Sequence, residues 1–226
     1  MEIINGDIQS YDEKTQTLTI TAKYTDYEKL VKRGYRNVEI GLIDSRSISR
    51  DQQAKVYALL HDITEWCGET PKYIKRLMKV DFITDHMQGI AKKMFSLSDC
   101  DMTLAREFIT FLIDFCLEHE VPLSQPILSV CDDVEKAVYA CLKQKKCILC
   151  GSKAELHHVD AVGMGRDRKD ILQLGMRVLP LCRQHHMEAH SKGVVWLLND
   201  MHLIPYVLDK NIGKIYGLTK KNLGEK

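Results

Sequence analysis

The 226-residue sequence predicts an α+β fold in which strands come first, helices follow and a metal-stapled segment closes the chain. Three observations carry this reading. Residues 16–24 and 37–44 alternate apolar and polar side chains, the pattern of a strand with one covered face. Between residues 49 and 143 the apolar positions recur with helical spacing, as amphipathic helices do. After residue 146, cysteines and histidines stand in pairs at metal-ligand spacing.

The elements follow in order. In the first strand, Leu18, Ile20 and Ala22 point one way and threonines the other; in the second, Val38, Ile40 and Leu42 do the same. The polar stretch between them holds a short helix around Tyr27 to Arg33. Ser49 with Gln52 makes a capping box for a helix that lines up Val56, Leu59, Leu60 and Ile63 and stops at Gly68. Thr70-Pro71 reads as a cap followed by proline in the first turn, opening a helix with Tyr73, Ile74, Leu77 and Met78. Ser98 with Asp101 offers the next cap, ahead of Leu104, Phe108, Phe111, Leu112 and Phe115 on one side of a long helix. Pro122 and Pro126 break the chain, and residues 132–143 form a further helix leading into the metal segment. Beyond His190, the residues Trp196, Leu197, Leu198, Ile204 and Tyr206 form a short apolar packing element, and the polar residues 219–226 fray.

Composition bounds the function. The apolar share of 45% and charged share of 28% are those of an ordinary globular protein. No apolar run is long enough to span a bilayer. The opening MEIINGDIQSYDEK lacks the basic-then-apolar order of a secretory signal, so a cytoplasmic protein is expected. The net charge of +1 does not announce a nucleic-acid partner. Lys143, Lys145, Lys146, Arg166, Arg168, Lys169, Arg177 and Arg183 nonetheless concentrate base near the C-terminus, and a local patch of this kind is the footprint a near-neutral total hides. The plainer alternative for these charges is a solvated surface.

The eight cysteines fall into two groups. Cys67, Cys100, Cys116, Cys131 and Cys141 are scattered along helices and read as buried thiols. Cys147 and Cys150 form a CxxC knuckle whose following Gly151 lets the backbone turn tightly, and Cys182 and His185 supply a second pair at the same spacing. Three thiolates and one imidazole make a closed tetrahedral set suited to structural Zn2+. Between the pairs lies His157-His158, and after them come His186 and His190, four apart on one helical face. With His157 these two can hold one divalent cation and leave coordination positions open, as a catalytic ion requires. If residues 155–159 are a strand, the side chains of His157 and His158 point to opposite faces, or splay at a strand end, so one can bind metal while the other stays free as a base. Which of the neighbours His185 and His186 serves which cluster stays open at this level.

The pieces CILCG, ELHHVD, LCRQHH and HMEAH, over residues 147–191, resemble the HNH endonuclease family. That resemblance implies a small zinc-stabilised ββα-metal module. It implies His157, His186 and His190 as ligands of a catalytic cation such as Mg2+ or Mn2+, His158 as general base, and hydrolysis of DNA phosphodiesters. The sequence departs from the family pattern in two places. Arg177 stands five residues before Cys182, where the family has an asparagine that ties a loop to the second strand, and His185 stands where many relatives have cysteine. Arginine donates hydrogen bonds but accepts none, so a phosphate contact is the alternative role for Arg177. Arg166, Arg168 and Lys169, between the two expected strands, are candidates for the same contact.

Residues 1–142 hold no catalytic cluster and no Gly-rich phosphate loop. Residues 47–68, SISRDQQAKVYALLHDITEWCG, and 95–121 resemble the phage Orf/NinB recombination mediator family, and the whole chain resembles HNH nucleases of phages. The resemblance implies a DNA-binding and dimerisation domain over 1–142 joined to the HNH module with its C-terminal tail over 143–226. It further implies a homodimer, single-stranded or branched DNA as substrate, contact with the host single-strand binding protein, and residence in the bacterial host cytoplasm. Two rival readings stand beside this one: a non-catalytic mediator whose zinc module only binds DNA, and an HNH enzyme that nicks duplex DNA.

Overall fold

The computed structural model describes residues 4, 6–34, 36–38, 40, 46–85, 94–160, 171–193 and 195–224. The chain divides into two compact units, Met1–Ile43 and Asp44–Lys226.

In the first unit, β1 (Gly6–Asp12) and β2 (Thr17–Ala22) form an antiparallel hairpin with a register shift between Ile8 and Ser10. The Asp12 carboxylate accepts from the Lys14 backbone N–H at 2.9 Å and shapes the turn. Helix α1 (Tyr27–Arg33) starts on the Asp26 side chain and stops at Gly34, where φ is 58°. β2 and α1 lie where the sequence placed them. The expected half-buried face does not form: among the described residues of this unit none is buried, and Ile8 and Tyr11 stand 58% and 59% exposed. Two strands alone offer no layer to cover an apolar row. Of the expected strand 37–44, residues 37, 38 and 40 carry no strand and the rest lie outside the described residues.

The second unit begins where two segments meet. Ile48 N–H donates to the Cys100 carbonyl at 2.7 Å and Met102 N–H to the Arg46 carbonyl at 2.9 Å, so α2 (Arg50–Cys67) and α4 (Met102–Glu118) start side by side and pack along their lengths. The Ser49–Gln52 capping box is present in both directions, at 3.0 and 3.1 Å. Val56, Leu59, Leu60 and Ile63 are buried as the spacing requires. Helix α3 (Pro71–Asp85) buries Ile74, Met78 and Phe82. Tyr73, expected on the same face, is 51% exposed; it lies about 100° around the helix from the buried Ile74, outside the face that α3 buries. Asp101, not Ser98, caps α4: its carboxylate accepts from Leu104 N–H at 2.7 Å, while Ser98 N–H bonds to Ser96 Oγ. Phe82, Phe95 and Phe108 meet edge to face at 5.1–5.8 Å and fill the space among α3, α4 and residue 95.

Helices α5 (Ile127–Val130) and α6 (Val134–Gln144) follow the proline break. Asp132, just before α6, accepts from Gln52 Nε2 at 2.8 Å and pairs with Lys55 and Arg106 at 3.4 Å each, tying α2, α4 and the α5–α6 turn together. Cys100, Cys116, Cys131 and Cys141 are buried as expected, but Cys67 at the end of α2 is exposed.

The C-terminal part carries an antiparallel sheet in the order β3 (Glu155–His158), β4 (Arg177–Leu181), β5 (Tyr206–Val207), with α7 (Arg183–Lys192) after β4 and α8 (Lys210–Ile215) after β5. This is the expected strand–strand–helix order of the metal segment. It does not stand apart from the helices: a single buried cluster runs from Ile48 through Leu142 and Ile148 to Leu179 and Ile212. Ile148 N–H donates to the Pro180 carbonyl at 3.1 Å, and the Tyr139 and Tyr206 rings meet at 4.9 Å. The tail does not fray through residue 224. Asn222, 2% exposed, donates from Nδ2 to the Ile171 carbonyl at 2.8 Å and accepts from Gln173 N–H at 2.8 Å. These bonds satisfy buried backbone groups of the segment leading into β4, which is why a polar tail stays docked. Leu197 is fully buried, whereas Ile204, expected to pack with it, is 49% exposed. Among the described residues no helix is long and apolar enough to cross a membrane.

Candidate metal centres and active site

Two groups of side chains gather on the β3–β4–α7 unit. The first is Cys147, Cys150, Cys182 and His185, whose donor atoms all lie within 4.8 Å of one another. A tight turn brings the first pair in: Cys147 N–H donates to the Ser152 carbonyl at 2.7 Å, Gly151 N–H to the Cys147 carbonyl at 2.8 Å, and Gly151 takes φ 71°. The second pair sits where β4 ends and α7 begins, with Cys182 as the residue preceding the helix. Cys150 Sγ lies 3.7 Å from Cys182 Sγ, and His185 Nδ1 lies 3.5 Å from Cys147 Sγ and 3.2 Å from Cys182 Sγ. A tetrahedral zinc with ordinary bond lengths separates its sulfurs by about 3.7 Å and a sulfur from a nitrogen by about 3.5 Å. The donor set and its edges therefore fit zinc.

Burial without a cation pushes the Cys147 thiol up to about 12. Burial also acts to raise Cys150, but hydrogen bonds from the Ser152 hydroxyl and backbone and from the neighbouring thiols outweigh it and lower that thiol. A divalent cation reverses the penalty at Cys147, because it holds thiolates rather than thiols.

The second group is His157, His186 and His190, again with one donor atom from each within 4.8 Å of the others. Ring centroids are 4.7 Å apart for His157–His186, 5.3 Å for His157–His190 and 4.9 Å for His186–His190. Strand β3 supplies His157, opposite Leu179 in the register, and one face of α7 supplies His186 and His190. His157 and His186 are buried while His190 is exposed, so the cluster opens to solvent on one side. Three imidazoles with an open side fit a cation that keeps positions for other ligands. The structure thus divides the neighbours that the sequence left undecided: His185 joins the thiols and His186 joins the imidazoles.

Glu155 belongs with this cluster and was not singled out from the sequence. Its Oε2 accepts from His186 Nδ1 at 3.0 Å and lies 3.6 Å from Arg183 Nη1. The bond from His186, with Arg183 beside it, holds the Glu155 carboxyl below its usual range. An ionised carboxylate only accepts, so the proton sits on Nδ1 and Nε2 keeps its lone pair for a metal. The signal was available: Glu155 is two residues before His157, hence on the same side of the strand.

His158 is not part of the three-histidine cluster. It ends β3 opposite Val178. Beyond it, Val159 N–H donates to the Arg177 carbonyl at 2.9 Å, and Asp160 receives Arg177 from three directions: backbone N–H at 2.7 Å, Nε at 2.9 Å and Nη2 at 2.7 Å. Arg177 thus ties the residues after β3 to the start of β4 through a carboxylate. Its donor-only guanidinium needed an acidic partner, and Asp160 provides it. Arg177 holds the Asp160 carboxyl below the usual range, and the His158 imidazole adds to that effect. Arg166, Arg168 and Lys169 lie outside the described residues.

Residues 23–218 match the protein family described as "Putative HNHc nuclease". No curated protein and no solved structure matches the chain. The family match takes in most of the helical region as well as both histidine- and cysteine-bearing segments. With that span matched, the chain belongs to the HNHc nuclease family.

Proposed function

We propose that the protein is a metal-dependent endonuclease that hydrolyses phosphodiester bonds in DNA. The observation that carries this is the convergence of His157, His186 and His190 around a point open to solvent, with Glu155 fixing one ring. In this reading Cys147, Cys150, Cys182 and His185 hold a structural Zn2+ and the three imidazoles hold a divalent cation such as Mg2+ or Mn2+. His158 is the general base: it takes a proton from water as the water oxygen bonds to phosphorus and the bond to the 3′ oxygen breaks. When bound, the cation neutralises charge developing on the phosphorane and on the departing oxygen. Arg166, Arg168 and Lys169 contact phosphate. Arg177, half exposed beside Asp160, keeps donors for the same use.

The wider reading is a phage recombination nuclease acting as a homodimer in the bacterial host cytoplasm. It binds single-stranded or branched DNA and meets the host single-strand binding protein. Its support is the likeness of residues 47–68 and 95–121 to the Orf/NinB family. The division of labour at residues 142/143 is then one of role, since both sides share one buried core. The test is cleavage of single-stranded, duplex and branched DNA with Mg2+, Mn2+ or Ni2+, against chelator and a His158→Ala control. Cation-dependent cutting lost in the variant supports the reading; tight binding without cutting under every cation turns it into a DNA-binding mediator.

A further inference from the structure

We infer that the exposed face shared by α2 and α3 is a binding surface for single-stranded DNA. Tyr57 and Tyr73 stack on its bases, and Lys72, Lys75 and Arg76 hold its phosphates. The inference rests on the DNA reading above and names a face for the strand; neither histidine cluster takes part.

The charge pattern comes first. From Pro71 to Val80, α3 carries Lys72, Lys75, Arg76 and Lys79 and no carboxylate. Spacings of three and four make these side chains neighbours on the helix surface, where like charges repel. The first turn holds no acidic residue, so Lys72 also meets the positive end of the helix dipole. Elsewhere in this unit cations meet carboxylates: Lys136 at Glu107, Lys143 at Asp114 and Lys146 at Glu120. Among the described residues, Lys72, Lys75 and Arg76 have no such partner. Lys79 is turned inward, 6% exposed, with Nζ donating to the Phe95 carbonyl at 2.8 Å. Cations disfavoured both by their neighbours and by the dipole, and compensated by nothing within the helix, mark a surface that meets an anion from outside the chain.

The rings come second. Tyr57 on α2 and Tyr73 on α3 are 48% and 51% exposed. Lys75 Nζ lies 3.3 Å from the Tyr57 hydroxyl and 5.3 Å from the ring centre, which joins the exposed faces of the two helices. Tyr73 stands three positions before Arg76, hence next to it on the helix surface. Rings set beside cations match a single strand, whose unpaired bases offer flat π faces and whose backbone offers phosphates. Duplex DNA keeps its base faces inside the stack, and an acidic protein segment would need the cations only.

The test uses the full-length protein without Mg2+ or Mn2+, so that no strand is cut. Fluorescence anisotropy follows binding of a labelled oligothymidine of about 20 nucleotides, longer than a typical single-strand site. Each variant is also melted. Tyr57→Ala is expected to weaken binding about tenfold, and Tyr57→Phe to leave it within about threefold, because stacking needs the ring and not the hydroxyl. Should Tyr57→Ala melt early, the more exposed Tyr73→Ala takes its place. Lys72→Gln with Arg76→Gln removes two phosphate contacts, so the slope of log affinity against log salt should become shallower by about 1.4. Both positions are exposed, and this double variant keeps the fold. Unchanged affinity in the alanine variant, or an unchanged slope in the double variant, overturns the inference, as does a wild type that does not bind the oligothymidine. Displacement by polyglutamate as strong as by unlabelled DNA, with Tyr57→Ala silent, makes the face a dock for an acidic protein and also overturns it. Cleavage is read separately with Mn2+ added: a wild type that binds through this face and cuts no DNA loses the nuclease reading and keeps the inference.

Discussion

His185 and His186 are neighbours in the chain and belong to different kinds of site. The cluster that takes His185 has three sulfur donors, two of them on buried cysteines, at separations of 3.2 to 3.7 Å that leave no position for a further ligand. The cluster that takes His186 has nitrogen donors only, one of its three residues exposed, and a carboxylate behind it that orients a ring. Donor chemistry and access to water, rather than position in the sequence, separate a clamp from a candidate reaction centre. The helix explains how one turn serves both: consecutive residues at the start of α7 diverge by about 100°, so one faces the knuckle and the next faces β3.

Breaking the closed cluster should have the largest effect on stability. Cys147→Ser is expected to release zinc and to cost about 5 kcal/mol, or roughly 10–20 °C in Tm. Metal content by mass spectrometry and melting curves check this, and unchanged zinc in the variant removes the knuckle. Breaking the chemistry without the clamp is the contrasting case. His158→Ala should reduce cleavage by about 10²–10⁴ while zinc content and Tm stay as in wild type; single-turnover assays and melting measured on the same preparation decide it. Opening the imidazole cluster is milder. His190→Ala should retain zinc but require a higher concentration of the activating cation, read as a shift in the metal titration of activity. Glu155→Gln should weaken the same cation by about ten- to a hundredfold, because the amide orients the His186 ring less firmly.

The smallest effect belongs to the Asp160–Arg177 clamp under acid. Arg177 depresses the Asp160 carboxyl in the folded chain, so its stabilisation is complete above the ordinary carboxylate value of about 4 and is lost as pH falls through the still lower folded value. Asp160→Asn should therefore lie below wild type in stability near neutrality and converge with it in acid. Parallel acid melts that keep a constant gap would refute this.

Much of the helical region was legible because its signals are local. The Ser49–Gln52 box, the Gly68 stop and the stripe of Val56, Leu59, Leu60 and Ile63 each follow from spacing within a few residues. Tyr73 and Cys67 misled because spacing says which residues share a face but not how wide the buried face is. Glu155 and Asp160 were overlooked although both stand in the ELHHVD segment; their partners His186 and Arg177 are distant in the chain, and only pairing of the strands and α7 reveals them. The tail failed as a prediction for the same reason: Asn222 looks like solvent-facing sequence until the carbonyl of Ile171 and the N–H of Gln173 are found against it.

Taken alone, the sequence determined the ligand types, their pairing as CxxC and CxxH, and the helical interval that puts His186 and His190 on one face. Those are properties of residue chemistry and short-range geometry, which survive without knowing where the rest of the chain runs. Only the tertiary structure decided which histidine joins which cluster, which carboxylates stand behind them, and that the metal segment shares one core with the helices. Each of those depends on contacts between residues far apart in sequence, and such contacts are set by packing and strand register, for which no local pattern exists.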